Sequence, residues 1–246
     1  MIYIFDVDGT LTPSRNKMDE NFQSFFKTFC KHNRVWLISG SDHTKTIEQI
    51  GVDLWTSVEK AYQCSGNQLF QNGSLIRTTD WELPIATRGC LEKFLEQSKY
   101  PHRYGNHIEE RPGMVNFSIV GRNCTQEQRE EYFKWDNEHK EWIEFSKELK
   151  ERYLGLDAVV GGEISIDIYP TGKDKGQIVD ELTDDKFTFF GDRLQPGGND
   201  YSMKLATIHK RLKGNEFFHV KSWKDTRNLL SSIAQTNAGV IWKKVI

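Results

Sequence analysis

Two aspartates, Asp6 and Asp8, stand two residues apart at the end of the apolar run Ile2-Tyr3-Ile4-Phe5, and Gly9-Thr10 follows them. Like-charged carboxylates this close need a cation between them or a proton on one of them. A few hard oxygen ligands suit Mg²⁺, which keeps waters and takes substrate phosphate oxygens as further ligands. An aspartate so placed can also attack phosphorus and form an aspartyl-phosphate. The alternative is a strand-end turn in which Asp8 and Thr10 bond local backbone. The partners supplied by the rest of the chain favour phosphoryl chemistry. Ser39 and Ser41 follow the apolar run Val35-Trp36-Leu37-Ile38, Lys175 opens a helix after Asp174, and Asp192 follows Phe189-Phe190-Gly191. Serine hydroxyls can bind phosphate oxygens, Lys175 can screen the charge of nucleophile and phosphate, and Asp192 can complete a cation site with Asp6.

Elements of a definite kind must position these groups. Ile2–Phe5, Val35–Ile38 and Phe187–Phe190 read as buried strands, Phe217–Val220 as a last strand, and 21–31, 44–50, 175–182 and 223–234 as helices. The stripe Phe22, Phe25, Phe26 and Phe29 is core rather than binding surface. Strand and helix in alternation predict an α/β fold with a doubly wound parallel sheet. Ligands bind such sheets outside the carboxyl ends of the strands, where the four polar groups lie. Asn72-Gly73 predicts a hairpin joining Gln68–Phe70 to Leu75–Ile76. From about 80 to 174 the pattern changes to helices at 88–97 and 126–154 and alternating strands at 114–120 and 164–169. This predicts an inserted α+β cap domain at 80–174, with 1–79 and 175–246 as the core. The tail 236–246 has no assignment.

The chain has 246 residues, 37% hydrophobic, and a net charge of −2. Nothing basic favours nucleic acid, and no apolar stretch reaches membrane-spanning length. No leader pattern opens the chain, so the expectation is a soluble, cytoplasmic protein. Its four cysteines, Cys30, Cys64, Cys90 and Cys124, stand singly, which predicts free thiols rather than a zinc or redox site.

The order DxDGT, a strand followed by SGS, a helix-start Lys and then GD…GGND resembles the haloacid dehalogenase (HAD) superfamily of phosphotransferases. Five segments that span most of the chain are similar to eukaryotic-type phosphomannomutase. They are 6–15, 111–116 (Arg-Pro-Gly-Met-Val-Asn), 121–129, 161–167 and 189–200. The resemblance implies a HAD-like core with a cap, a cap-mediated homodimer and dependence on Mg²⁺. It implies interconversion of mannose 6-phosphate and mannose 1-phosphate through an aspartyl-phosphate and a hexose 1,6-bisphosphate, which also serves as activator. The implied use is supply of mannose 1-phosphate for GDP-mannose.

By the same resemblance Asp6 is the nucleophile and Asp8 the general acid/base. The Asp6 side chain, the Asp8 backbone carbonyl and the Asp192 side chain hold Mg²⁺, supported by Asn199 and Asp200. Arg15 and Asn116 contact substrate. The residues bear on this independently: a sugar phosphomutase must hold two phosphates, and the cap offers Arg111, Arg122 and Arg129, whose guanidinium forks bind phosphate bidentately. Arg122 reads as ending a strand. Ser165 and Asp167 share one strand face and can both reach sugar hydroxyls. Ser65-Gly66-Asn67 and Ser118-Ile119 depart from the family pattern, as does the stretch from Tyr201 to Asn215. The rival readings are a HAD-type sugar-phosphate phosphatase and a non-catalytic sugar-phosphate-binding protein.

Overall fold

A computed structural model describes residues 1–182 and 186–243, the last ten of these by backbone alone. In chain order the elements are β1 (Ile2–Asp6), α1 (Glu20–His32), β2 (Arg34–Ile38), α2 (His43–Ile50), α3 (Val52–Trp55), β3 (Lys60–Gln63), β4 (Gln68–Gln71) and β5 (Ser74–Thr78). There follow α4 (Ile85–Gln97), β6 (Ile108–Arg111), β7 (Met114–Phe117), α5 (Gln126–His139), α6 (Glu141–Arg152), β8 (Leu156–Val160) and β9 (Ile166–Pro170). A 3-10 helix at Lys175–Glu181 leads into β10 (Phe187–Gly191), α7 (Tyr201–His209), β11 (Glu216–His219) and α8 (Trp223–Lys243).

The larger sheet runs β11-β10-β1-β2-β3-β4-β5. Its first five strands are parallel, and β4 and β5 fold back antiparallel through Asn72-Gly73. A parallel sheet covered on both faces needs apolar residues on both, and β1 supplies them. Phe5 enters one core with Phe26 and Phe190, and Ile2 and Ile4 enter the other with Phe187 and Phe189. The α1 phenylalanines are core: Phe26 meets Phe5 edge-on at 5.0 Å, and Phe5 stacks on Phe190 at 4.7 Å. Asp19 caps α1 by accepting from Phe22 N at 2.9 Å, so the stripe starts in register with the sheet. Parallel pairing also decides where chemistry sits. Register pairs Asp6 with Ile38 and Phe5 with Phe190, so Asp6, Ser39 and Asp192 leave the sheet at one edge.

The smaller sheet is antiparallel, β6-β7-β9-β8. Phe117, Ile166 and Ile168 point to a core shared with Trp142, Phe145 and Leu149 of α6 and Tyr132 of α5. Asn116, paired with Asp167, lies on the opposite face. The helical stretch read over 126–154 is two helices. Lys140 adopts φ 59°, its N–H bonds Asp136 O, and the Asp136 carboxylate accepts from Trp142 N. The strand read over 114–120 ends at Phe117, because Ser118 turns its hydroxyl onto Ile164 O. The segment at 175–182 is 3-10 rather than α. The tail assigned to nothing in the sequence continues α8 as far as Lys243, and 244–246 lie outside the described residues. All four cysteines are free thiols. Among the described residues no helix is long and apolar enough to cross a membrane.

Candidate active site

The turn after β1 is built by backbone. Val7 O accepts from the N–H groups of Leu11 and Thr12, and Gly9 N donates to Thr12 O. Gly9 sits at φ 82°, and a Cβ there would come within 2.6 Å of the Asp192 carboxylate, so only glycine lets the two loops close on each other. The turn leaves both aspartate side chains for the site.

Asp6 is buried. Its Oδ1 accepts from Lys175 Nζ at 2.6 Å, and the same ammonium donates to Asp200 Oδ1 at 2.7 Å. The second Asp200 oxygen accepts from Arg193 N at 3.0 Å. Asp6, Asp192 and Asp200 bring one carboxylate oxygen each within 4.8 Å of one another. One ammonium cannot neutralise three carboxylates. Burial, with the charges of Asp200 and Asp192, therefore raises Asp6 well above the usual carboxylate range. Burial and Asp200 push Asp192 up to about 6. Burial opposes the charge on Lys175, but Asp200 and Asp6 prevail and hold it protonated above the ordinary lysine range. A carboxylate cluster with an excess of negative charge is a hard-cation site. Asp6 Oδ2 and the Asp192 carboxylate, the latter with only a 3.7 Å ion pair to Arg193, are the oxygens that could take a cation such as Mg²⁺, whereas both Asp200 oxygens are engaged in hydrogen bonds. Asp200 thus orients Lys175 and the 193 loop.

Asp8 is differently tuned. Its Oδ1 accepts from Arg15 N at 2.6 Å and from Gln49 Nε2 at 2.9 Å, and Ser41 Oγ lies 3.4 Å from Oδ2. Burial would raise its carboxyl, but the Lys45 charge, the Arg15 N–H and Gln49 together bring it below the ordinary value. Arg15 reaches this position at φ 59°. Ser39 Oγ accepts from Ser41 N, which shapes the loop after β2 around the cavity.

The smaller sheet closes the far side. Arg111 donates to Gly40 O at 2.6 Å and to Glu109 at 2.8 Å, and Arg122 also pairs with Glu109, at 3.0 Å. Arg122 lies in the turn beyond β7 and not at a strand end. Arg129, on α5, pairs with Glu163 at 3.3 Å. Asn116 Nδ2 donates to Ser165 Oγ at 3.0 Å and Asp167 Oδ1 at 2.7 Å, and burial raises the Asp167 carboxyl against the pull of Arg111 and Asn116. Asn199 reaches across from the core, donating to Gly161 O at 3.2 Å.

One cavity between the sheets is lined by Asp6, Asp8, Arg15, Ser39, Ser41, Arg111, Asn116, Arg122, Arg129, Ser165, Asp167, Asp192 and Asn199. Lys175 and Asp200 lie beneath it, fully buried. Several buried polar atoms here have no partner among the described residues: Arg111 Nε, Arg129 Nη1, Asn116 Oδ1 and Asn199 Oδ1. Buried polar groups are normally satisfied, so this cluster marks where a polar ligand sits. The sequence reading missed Lys45 and Gln49, which lie one turn apart on α2, and the carboxylates Glu109 and Glu163 that hold the arginines. The signal for Lys45 was its place in the first helical turn after Ser39-Gly40-Ser41.

A model of the eukaryotic phosphomannomutase family matches residues 22–236. Phosphomannomutase 1 of Dictyostelium discoideum is 35% identical over 244 residues, covering 94% of this chain and 96% of that one. A phosphomannomutase of Oryza sativa subsp. indica is 34% identical over 212 residues, 82% of this chain and 86% of that one. Among solved structures, the N-terminally truncated, IMP-bound IMP-nucleotidase of Plasmodium falciparum superposes with a TM-score of 0.62. It is 15% identical, over 95% of this chain and 68% of that one, a likeness of fold. With the paired aspartates and the facing arginines brought to one cavity and the buried lysine beneath it, the chain belongs to the eukaryotic phosphomannomutase family.

Proposed function

We propose that this protein is a phosphomannomutase that interconverts mannose 6-phosphate and mannose 1-phosphate by way of a hexose 1,6-bisphosphate. The observation that carries this reading is the two-ended cavity. Asp6 and Asp8 line one side, and Arg111, Arg122 and Arg129 line the other. A phosphatase needs an anion site only at the nucleophile, whereas a mutase must hold a second phosphate away from it.

Asp6, whose Oδ1 is held by Lys175, is the nucleophile. Asp6 first takes a phosphoryl group from the hexose 1,6-bisphosphate, the bond from phosphorus to the sugar oxygen breaking and Asp8 passing a proton to that oxygen; Asp8, whose carboxyl lies below the ordinary value, is then the base. It takes the proton from the sugar hydroxyl whose oxygen attacks the phosphoryl group carried on Asp6. The phosphorus–Asp6 bond breaks, and a sugar bisphosphate is left in the cavity. After the bisphosphate turns round, Asp6 attacks its other phosphoryl group and Asp8 returns the proton to the departing sugar oxygen. When bound at Asp6, the Asp8 carbonyl and Asp192, Mg²⁺ would neutralise phosphoryl charge. Asn116, Ser165 and Asp167 offer hydrogen bonds to sugar hydroxyls.

Turning round requires space, so residues 80–174 act as a cap that opens and closes. Closure excludes water and protects the acyl phosphate. The homodimer belongs to this reading and would form through the cap. Product mannose 1-phosphate would feed GDP-mannose. Phosphorus NMR of mannose 1-phosphate with the protein, Mg²⁺ and a trace of glucose 1,6-bisphosphate tests the proposal. The expected result is conversion to the 6-phosphate that depends on the bisphosphate. Release of inorganic phosphate alone would make the protein a phosphatase.

A further inference from the structure

Lys45 lowers the Asp8 carboxyl by its charge but has no part in the steps above, and its surroundings ask for one. It lies in the first turn of α2, whose N-cap is Asp42 and whose first turn holds no acidic residue. A cation there works against the helix dipole, which favours negative charge at this end. Its ammonium is half-buried, lines the active-site cavity and makes no hydrogen bond or ion pair among the described residues. The guanidinium of Arg15 is in the same condition: half-buried, lining the cavity and without a carboxylate partner among the described residues. Glu109 and Glu163 are taken by the cap arginines. Asp8 is satisfied by Arg15 N and Gln49, with Ser41 close by, and Lys45 donates nothing to it.

These two core cations look across the cavity at the cap. Burial, then Arg15 and Arg111, bring Lys45 down to about 8, although Asp8 pulls the other way. Burial, then Arg129 and Arg111, bring Arg15 down to about 10 against the pull of Asp8. Arg129 Nη1 and Arg111 Nε, on side chains nine-tenths buried, have no partner among the described residues. Cations from two separate elements of the core and two of the cap thus converge with hydrogen-bond donors to spare, a cost in free energy that a bound dianion removes.

We infer that Lys45 is a ligand of the substrate's distal phosphate, supplied by the core, and that with Arg15 it completes a subsite whose other half is Arg111, Arg122 and Arg129 on the cap. A phosphate held by both halves ties cap to core, so closure over Asp6 depends on the second anionic group of the substrate. A sugar without that group leaves the facing cations to repel one another. The inference rests on the phosphomutase reading and gives its distal site a composition.

The test compares the parent with Lys45→Met and Lys45→Arg in steady-state conversion of mannose 1-phosphate at saturating glucose 1,6-bisphosphate and Mg²⁺. A calorimetric titration of mannose 1-phosphate accompanies it. Loss of one charge-assisted contact to phosphate predicts a rise of about 10- to 100-fold in KM and in the titrated Kd, larger than the fall in kcat. Lys45→Arg is expected to recover most of it. Lys45→Gln replaces the Met variant if that one does not fold. KM and Kd within about twofold of the parent would overturn the inference. So would a loss confined to kcat, which would mean that Lys45 acts through Asp8, or an Arg variant no better than Met. If the parent itself does not interconvert mannose phosphates, the functional reading falls instead.

Discussion

Replacing Lys175 with methionine is the sharpest test of how the site is assembled. The side chain is 1% exposed, and its ammonium sits 2.6 Å from Asp6 and 2.7 Å from Asp200. Methionine fills most of the volume, so packing changes little. What is lost is the cation that bridges Asp6 and Asp200 in a cluster of three carboxylates within 4.8 Å, whose third member, Asp192, has Arg193 3.7 Å away. Removing one partner of a buried ion pair costs about 3–5 kcal/mol, because the remaining charge is left uncompensated. For a chain of this size each kcal/mol shifts Tm by about 2–4 °C, so the metal-free variant should melt roughly 6–20 °C below the parent. The deficit must depend on pH. Burial and mutual repulsion raise the carboxylates of Asp6 and Asp192 above their unfolded values, and losing Lys175 raises Asp6 further. A raised folded-state acid means that the native state binds more protons. Its stability is complete below the unfolded pKa and is lost as pH rises through the folded one. The gap between variant and parent should therefore be small near pH 5 and full at pH 8. Mg²⁺ should raise the Tm of the variant more than that of the parent. Calorimetric scans in EDTA and in Mg²⁺ at both pH values measure all of this. A shift below about 2 °C at pH 8, or one independent of pH, would refute the idea that Lys175 neutralises the cluster.

Mg²⁺ affinity should fall by about tenfold for each pH unit below 6, because a ligating carboxylate must shed its proton and Asp192 holds it up to about 6; a titration flat from pH 5 to 7 would exclude Asp192 as a ligand. Asp8→Asn should slow mannose phosphate interconversion by about 10²–10⁴-fold, the usual share of a general acid/base. Turnover within about tenfold of the parent would remove Asp8 from that role. Gly121→Ala should destabilise the protein by about 1–3 kcal/mol in urea unfolding. The residue sits at φ 88°, and a Cβ there meets the Tyr104 carbonyl oxygen at 2.6 Å, where the 104–106 loop bonds 120–123. An unchanged midpoint would show that this loop moves aside freely.

Much of the core was legible before folding. Phe5 and the α1 phenylalanines follow the periods of strand and helix, and they pack on one another as that pattern requires. The segment from 80 to 174 was legible in part. β9 reads out by alternation, but β6 is Ile-Glu-Glu-Arg, too polar and short to declare itself, and its second glutamate is an exposed edge position paired with Arg88 of α4. The break at Lys140 was invisible because the apolar spacing continues through it; the Asp136 carboxylate that caps α6 across the break is a tertiary arrangement of local residues. α7 escaped because it carries little apolar periodicity, and its buried Met203 and Thr207 acquire meaning only against the 3-10 helix.

The linear chain by itself determined the chemical inventory: two aspartates two apart, a third after a distant strand, a helix-start lysine and the arginines at 111, 122 and 129. Residue type and spacing along one backbone suffice for that. Tertiary structure alone decided how the charges divide. Asp6 is paired with Lys175 from 169 positions away and shares its cluster with Asp192 and Asp200, whereas Asp8, two residues on, faces Lys45, Gln49 and the Arg15 N–H. The two carboxyls are consequently driven in opposite directions, one raised by burial and neighbouring carboxylates and the other lowered by cations and hydrogen bonds. A pKa depends on burial and on charges within a few ångströms in space, and sequence distance carries no information about either.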